Sequence, residues 1–263
     1  MNLLDALLLG LLQGLTEFLP VSSSGHLAIA QHFMPGFEQP GLLFEVLLHM
    51  GTMMAVVLYF WRDLVLLATA WFRTGEEALI YRRLLMLLVV ASIPTAIIGL
   101  TFKDFFTGLF DNIPLVSLML LVTGTILFVS ERFRRQGRDE KEMTIMDALV
   151  AGTAQGAAII PGISRAGSTI AVLLLKGVDG ATAARFSFLM ALPAVFGATL
   201  LELSDVGGAL GPDLTVYLAG TGMAFFSGLL AIRFLLAVIR RKRLFIFAVY
   251  CWMAGGLFFF LSQ

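Results

Sequence analysis

Gln13 and Glu17 stand four residues apart, the spacing that puts two side chains on one face of a helix. Two oxygen-bearing groups side by side, one of them anionic, can hold a hard divalent cation that keeps most of its waters. Glu45 and His49 repeat the spacing at the start of a later apolar segment, which makes Glu45 a further candidate for such an ion. Between the two pairs runs Pro20-Val21-Ser22-Ser23-Ser24-Gly25-His26. Serines after a proline break are ordinary helix caps, and the N–H groups exposed at a helix start also attract anions. Ser23 and His26 are three apart, close enough for a hydroxyl and a base to cooperate. A second break, Pro161-Gly162-Ile163-Ser164-Arg165-Ala166-Gly167-Ser168-Thr169, carries a guanidinium whose planar fork can bind two phosphate oxygens at once. The plain readings are that Gln13 joins helices, that Glu17 pairs with Arg165, and that the serines only cap.

The surroundings of these residues decide between the readings. Hydrophobic residues make up 59% of the chain, charged residues 14%, and mean hydropathy is +0.91, so the bilayer is the solvent. A charge at the bilayer centre costs roughly 2.5–3.5 kcal/mol, so Glu17, His26 and Arg165 belong in a cavity with work to do. Formal net charge is zero, which offers nothing to a nucleic acid. The single cysteine, Cys251, lies in an apolar run and reads as packing. No Lys or Arg precedes Arg62, so a cleaved signal peptide is not expected. His32 falls at a helix end, and Arg240-Arg241-Lys242-Arg243 reads as a topogenic loop. Zinc-ligand clusters, a Walker loop and a dinucleotide fingerprint are all missing from the sequence.

The elements that must position the charged residues follow from the loops. Basic residues concentrate in Arg62–Arg83, Arg132–Lys141 and Arg240–Arg243, and are scarce in Thr101–Pro114 and Glu202–Asp213. The positive-inside rule puts the first three in the cytoplasm and the other two outside. An all-α, polytopic membrane protein follows, with six transmembrane helices near 44–60, 84–100, 114–130, 186–202, 214–234 and 244–261. The stretch 147–175 has basic flanks at both ends, which suits a re-entrant helical hairpin broken at Pro161-Gly162. Residues 3–33 look like the same unit: Gln13-Gly14, Ser22, Gly25 and Phe44 match Gln155-Gly156, Ser164, Gly167 and Phe186 at one offset of 142 residues. Three spans between the copies make the second inverted relative to the first. One membrane domain of two inverted halves, 1–142 and 143–263, brings the two hairpin tips together near the midplane. A rival topology lets residues 3–33 cross once, since that stretch carries no Lys or Arg to orient it.

With these motifs in view, the whole chain resembles the undecaprenyl-diphosphate phosphatase family of the bacitracin-resistance type. The resemblance rests on the run Gln13 to His26, on Phe44-Glu45-Val46, on Pro161-Gly162-Ile163-Ser164-Arg165, and on Phe186-Ser187-Phe188-Leu189. It implies hydrolysis of the C55 polyprenyl diphosphate to the monophosphate at the bacterial plasma membrane, which recycles the lipid carrier for cell-wall precursors and confers bacitracin tolerance. It also implies a divalent cation, Mg²⁺ or Ca²⁺. By motif, Gln13 and Glu17 fill the family's acidic pair, Ser22, Ser23 and His26 its serine–histidine segment, and Ser164, Arg165 and Thr169 its phosphate segment. Gln13 leaves one carboxylate in the pair, and Ala166 stands where the family usually has a serine.

The expected site therefore has Glu17, Ser23, His26 and Arg165 as catalytic residues. Phosphate contacts come from Ser22, Ser24, Ser164, Arg165 and Thr169, and metal contacts from Gln13 and Glu17 with Glu45 in reserve. The sequence leaves three nucleophiles open: Ser23 with His26 as its base, a metal-bound water, and His26 itself. Catalysis is expected on the external side, with the prenyl tail entering laterally from lipid. A flippase or anion carrier using the same arginine is the rival reading, because inverted repeats with broken helices are a transporter design. Oligomeric state is left open.

Overall fold

Helices account for most of the described backbone. The computed structural model describes residues 1–34, 42–134, 137–205 and 214–262. In chain order the helices are α1 (Leu3–Phe18), α2 (Ser23–Phe33), α3 (Leu42–Tyr59), α4 (Trp61–Thr69), α5 (Glu76–Thr101), α6 (Lys103–Thr107), α7 (Ile113–Arg132), α8 (Ile145–Ala157), α9 (Arg165–Leu175), α10 (Gly180–Asp205), α11 (Leu214–Arg240) and α12 (Phe245–Leu261). No strand is present among the described residues, only an isolated bridge between Arg138 and Val178.

The two breaks read from the sequence fall where helices stop and restart. α1 opens on a capping box between Asn2 and Asp5 and ends at Leu19, before Pro20. α8 opens on the equivalent box between Thr144 and Asp147 and ends ahead of Pro161. Proline at these places withholds an N–H and disfavours helix in the residue before it. The chain then restarts at α2, capped by Ser22, and at α9, capped by Ser164. α1 packs on α2 and α8 on α9. At 1.5 Å per residue α1 is about 24 Å long, α8 about 20 Å, and α2 and α9 about 17 Å, so each arm is shorter than a 30 Å hydrocarbon core.

Of the six expected spans, α5, α7, α10 as far as Leu201, and α11 are long and apolar enough to cross a bilayer. The chain bends by 74° at Phe60 between α3 and the segment Trp61–Phe72, and counting that bent pair as one gives a fifth. α12 is apolar but only 17 residues long. Length and composition thus yield four or five spans rather than six. The loop expected over Glu202–Asp213 lies largely outside the described residues.

The helix pairings join residues before 142 to residues after it. α1 lies against α11 and α8 against α5, while α10 lies against α3. Glycines make these contacts close: a Cβ on Gly10 would stand 2.2 Å from Gly220 O, and one on Gly152 2.0 Å from Ala91 O. Close backbone approach through small residues is how helices associate where lipid removes the hydrophobic drive between them. The three basic loops gather at one end, as expected. Arg185 bonds Asp63 and Glu140, Lys141 pairs with Glu76 at 2.6 Å, and Leu244 N–H donates to Glu131 at 2.9 Å.

Candidate active site

The last turn of α1 carries Glu17, and the turn after it returns Ser23 to that carboxylate. Ser22 makes the return possible by adopting φ +71°, a conformation that costs a non-glycine residue about 1–3 kcal/mol. Ser23 Oγ–H donates to Glu17 Oε2 at 2.5 Å, and Gln13 Nε2 donates to the same oxygen at 3.1 Å. The other carboxylate oxygen, Oε1, is bonded by Arg165. Arg165 is the first residue of α9, placed there because Ser164 caps the helix through Gly167 N–H (3.0 Å) and anchors its own N–H on Thr123 Oγ1 (3.0 Å). An acid, a hydroxyl and a guanidinium from two hairpins therefore meet, with Glu17 only 7% exposed.

Small residues allow the hairpin tips to meet. A Cβ on Gly25 would lie 3.0 Å from Gly162 Cα, and one on Gly167 would lie 3.2 Å from Pro20 Cβ. Ser22 Oγ accepts from Gly25 N–H, while His26 N–H bonds Ser22 O. The first amides of α2 and α9, at Ser23, Ser24, Arg165 and Ala166, stand ahead of these caps as donors of the kind a helix start offers to an anion.

The remaining expected residues sort by what they touch. Ser22 and Ser164 cap their helices, and Ser24 Oγ lies 3.3 Å from Ser22 Oγ. Thr169 is fully buried, donates to Arg165 O (2.9 Å) and meets Ser187 Oγ at 2.6 Å, so it ties α9 to α10. His26 has Nδ1 2.8 Å from Ser22 O and Nε2 2.8 Å from Tyr250 Oη. With both ring nitrogens engaged, His26 does not meet Ser23 Oγ, whose hydrogen-bond partner is the Glu17 carboxylate. Glu45 accepts from Gln31 Nε2 at 3.3 Å, two to three helical turns from Thr52, Met53 and Val56, the α3 residues that line the pocket beside Glu17 and Arg165.

α3 contributes more than the sequence reading gave it. His49 lies one turn before Met53 on α3, and its Nδ1 is held 2.9 Å from Glu45 O. Glu45, His49, Met53 and Val56 fall on one stripe of α3 by helical spacing, and that repeat was the signal available in the sequence. A cation at the Gln13–Glu17 pair fits the donor set present. Gln13 Oε1 is buried without a hydrogen-bond partner, an oxygen beside a carboxylate with nothing to accept. No group of three His, Cys, Asp or Glu occurs among the described residues. An ion at Gln13 and Glu17 would take one or two protein oxygens and complete its shell from water and phosphate, as Mg²⁺ does.

About 20 Å³ is free beside Glu17 and Arg165, room for roughly one water. Met53 also lines a second, apolar cavity of about 460 Å³ with Met50, Met54, Trp61, Phe196 and Phe225, between α3, α10 and α11. The two spaces thus share a wall.

The family described as bacitracin resistance protein BacA matches residues 6–257. A protein of Syntrophotalea carbinolica named undecaprenyl-diphosphatase is 65% identical over the full length of both chains. One of Halothermothrix orenii with the same name is 43% identical over 100% of this chain and 99% of its own. One of Methanobrevibacter smithii, also so named, is 38% identical over 98% and 97%. The chain belongs to the bacitracin resistance protein BacA family.

Proposed function

We propose that this protein is an integral membrane phosphatase that hydrolyses undecaprenyl diphosphate to undecaprenyl phosphate and inorganic phosphate, recycling the lipid carrier of peptidoglycan synthesis. The observation that carries the reading is Glu17, bonded through one oxygen to Arg165 and through the other to Ser23 in a buried pocket. Relatives named undecaprenyl-diphosphatase over the whole length support it.

An arriving diphosphate replaces Glu17 as the partner of Arg165, whose fork grips two oxygens of the terminal phosphate. The helix starts at Ser23 and Arg165 supply further donors. Glu17, released from the guanidinium, takes the proton of Ser23 Oγ. The oxygen bonds to the terminal phosphorus, and the bridging P–O bond breaks with its electron pair leaving on the prenyl monophosphate. Water then cleaves the phosphoserine and Glu17 returns the proton to Ser23. A Mg²⁺ or Ca²⁺ held by Gln13 and Glu17 would neutralise the phosphate charge that Glu17 otherwise repels. The apolar cavity beyond Met53 takes the first part of the prenyl tail.

The two helix pairs α1–α2 and α8–α9 are read as re-entrant hairpins of inverted halves, 1–142 and 143–263, with α12 as the sixth span. Their short arms and the gathering of basic loops at one end support this. On that reading the basic end is cytoplasmic, the site opens to the outside, and the protein sits in the bacterial plasma membrane.

Phosphate release from undecaprenyl diphosphate by the purified protein, with and without a chelator, is the test. Release that stops with chelator and returns with Mg²⁺ or Ca²⁺ is expected. Binding without release would instead make the site that of a carrier.

A further inference from the structure

His26 and Tyr250 are joined across 224 residues of sequence. Their rings stack with centroids 5.6 Å apart and planes 11° from parallel, and Tyr250 Oη lies 2.8 Å from His26 Nε2. The opposite nitrogen, Nδ1, lies 2.8 Å from Ser22 O. A carbonyl oxygen only accepts, so Nδ1 carries a hydrogen, and in the neutral ring Nε2 is the bare nitrogen that accepts from Tyr250. The same Ser22 oxygen also receives the backbone N–H of His26, at 3.1 Å. Ser22 is the residue held at φ +71°, and the next residue is Ser23. One place further along α12, the Cys251 thiol lies 3.8 Å from Pro20 O, at the start of the same turn. α12 therefore touches the turn itself through Cys251 and, through Tyr250, the histidine that bonds its end.

The geometry points to Tyr250 as a positioning residue for the phosphatase reaction: through its hydrogen bond and stacking it locks His26 as a neutral strut on Ser22, which aims Ser23 at Glu17. The inference rests on the proposed function for its kinetics but not for its structure. It gives His26 a role other than base or nucleophile, since the proton of Ser23 goes to Glu17 at 2.5 Å. It also accounts for a tyrosine that is 45% exposed on a membrane helix yet turns its hydroxyl inward. A hydroxyl in lipid needs a partner, and His26 is the one it has.

The test uses the full-length protein as wild type, Tyr250→Phe, His26→Ala and the double variant. Tyr250→Phe keeps the ring and removes only the hydroxyl. It should lower kcat about five- to tenfold, the worth of one hydrogen bond, with KM unchanged and the melting temperature lowered by only a few degrees. In the His26→Ala background the same change should have no further effect, because Tyr250 acts only through His26. Additive losses, or a Tyr250→Phe protein with full kcat, would overturn the inference. A readout independent of activity is the ¹⁵N imidazole spectrum, with His26 assigned by its absence from His26→Ala. Nδ1–H with an accepting Nε2 is expected, and the Nε2 signal should move in Tyr250→Phe. The other tautomer, or an unmoved signal, would sink the strut even if the enzyme is active. A wild type with the expected tautomer but no phosphate release would sink the phosphatase reading instead.

Discussion

Gly25 lies against Gly162, so the start of α2 and the break before α9 touch backbone to backbone at the level where Glu17 meets Arg165. A Cβ on Gly25 would stand 3.0 Å from Gly162 Cα and 3.2 Å from Gly162 N. Backbone cannot swing aside as a long side chain does. The contact sets the spacing of the two tips, and the spacing sets whether Arg165 and Ser23 act on one phosphorus.

Gly25→Ala should therefore part the tips by a fraction of an ångström while leaving the helices intact. Misplacement of that size costs up to about a hundredfold in rate. The expected result is a tenfold or larger fall in phosphate release with near-normal yield of folded protein. Unchanged turnover would mean the tips need not touch.

Glu17→Gln removes the acceptor of the Ser23 proton and leaves Arg165 without a counter-ion. A lost general base typically lowers turnover by about 10²–10⁴-fold. Binding should suffer less than turnover, because the unpaired guanidinium is freed for phosphate while the cation loses its one carboxylate ligand. Initial-rate kinetics should thus show a collapsed kcat with a much smaller change in KM, and a higher Mg²⁺ concentration needed for half-maximal rate. Arg165→Ala should lose binding and turnover together.

The charged residues and their context were legible in the sequence because lipid makes them expensive: Glu17 and Arg165 have to find a partner, and they find each other. The helix starts were legible too, since Pro20 and Pro161 end one helix and Ser22 and Ser164 begin the next. The use of His26 could not be read. Spacing put it near Ser23, but the ring turns to Ser22 O and to Tyr250, a contact 224 residues away that no local pattern encodes. Thr169 was drawn into the phosphate set by its motif, and its hydroxyl is instead used between α9 and α10. The 74° bend at Phe60 could not be read either: Arg62-Asp63 end the span near residue 60, but nothing local gives the angle at which Trp61–Phe72 leaves it.

Arg185 tests the other end of the molecule. It bonds Asp63 and Glu140 and donates to Tyr81 Oη at 2.9 Å, so one guanidinium joins α4, α5 and α10. These side chains are about one-fifth to one-quarter exposed, which places the loss on Arg185→Ala near 1–3 kcal/mol rather than at the value for a fully buried pair. Arg185→Lys should recover little, because a single ammonium cannot serve three partners in a fork. Thermal unfolding in detergent should show both variants melting lower. Turnover per folded molecule should stay near wild type, since the network lies at the opposite end of α10 from Phe196 and the apolar cavity.

Among the described residues, Met53 is the one side chain that borders both the Glu17–Arg165 space and the apolar cavity. If the diphosphate sits in the first and the prenyl tail runs into the second, the chain must pass Met53. Met53→Trp fills the passage with a rigid ring, while Met53→Ala widens it. A pocket altered by a few methylene volumes discriminates substrates by roughly 10–200-fold. The Trp variant should accordingly lose about tenfold or more in kcat/KM on undecaprenyl diphosphate, yet much less on a prenyl diphosphate too short to reach the cavity. Comparing the two substrates on one preparation separates a blocked passage from a damaged site, because damage to Glu17 or Arg165 would lower both rates alike. A Trp variant as active as wild type on undecaprenyl diphosphate would place the tail somewhere other than between α3, α10 and α11.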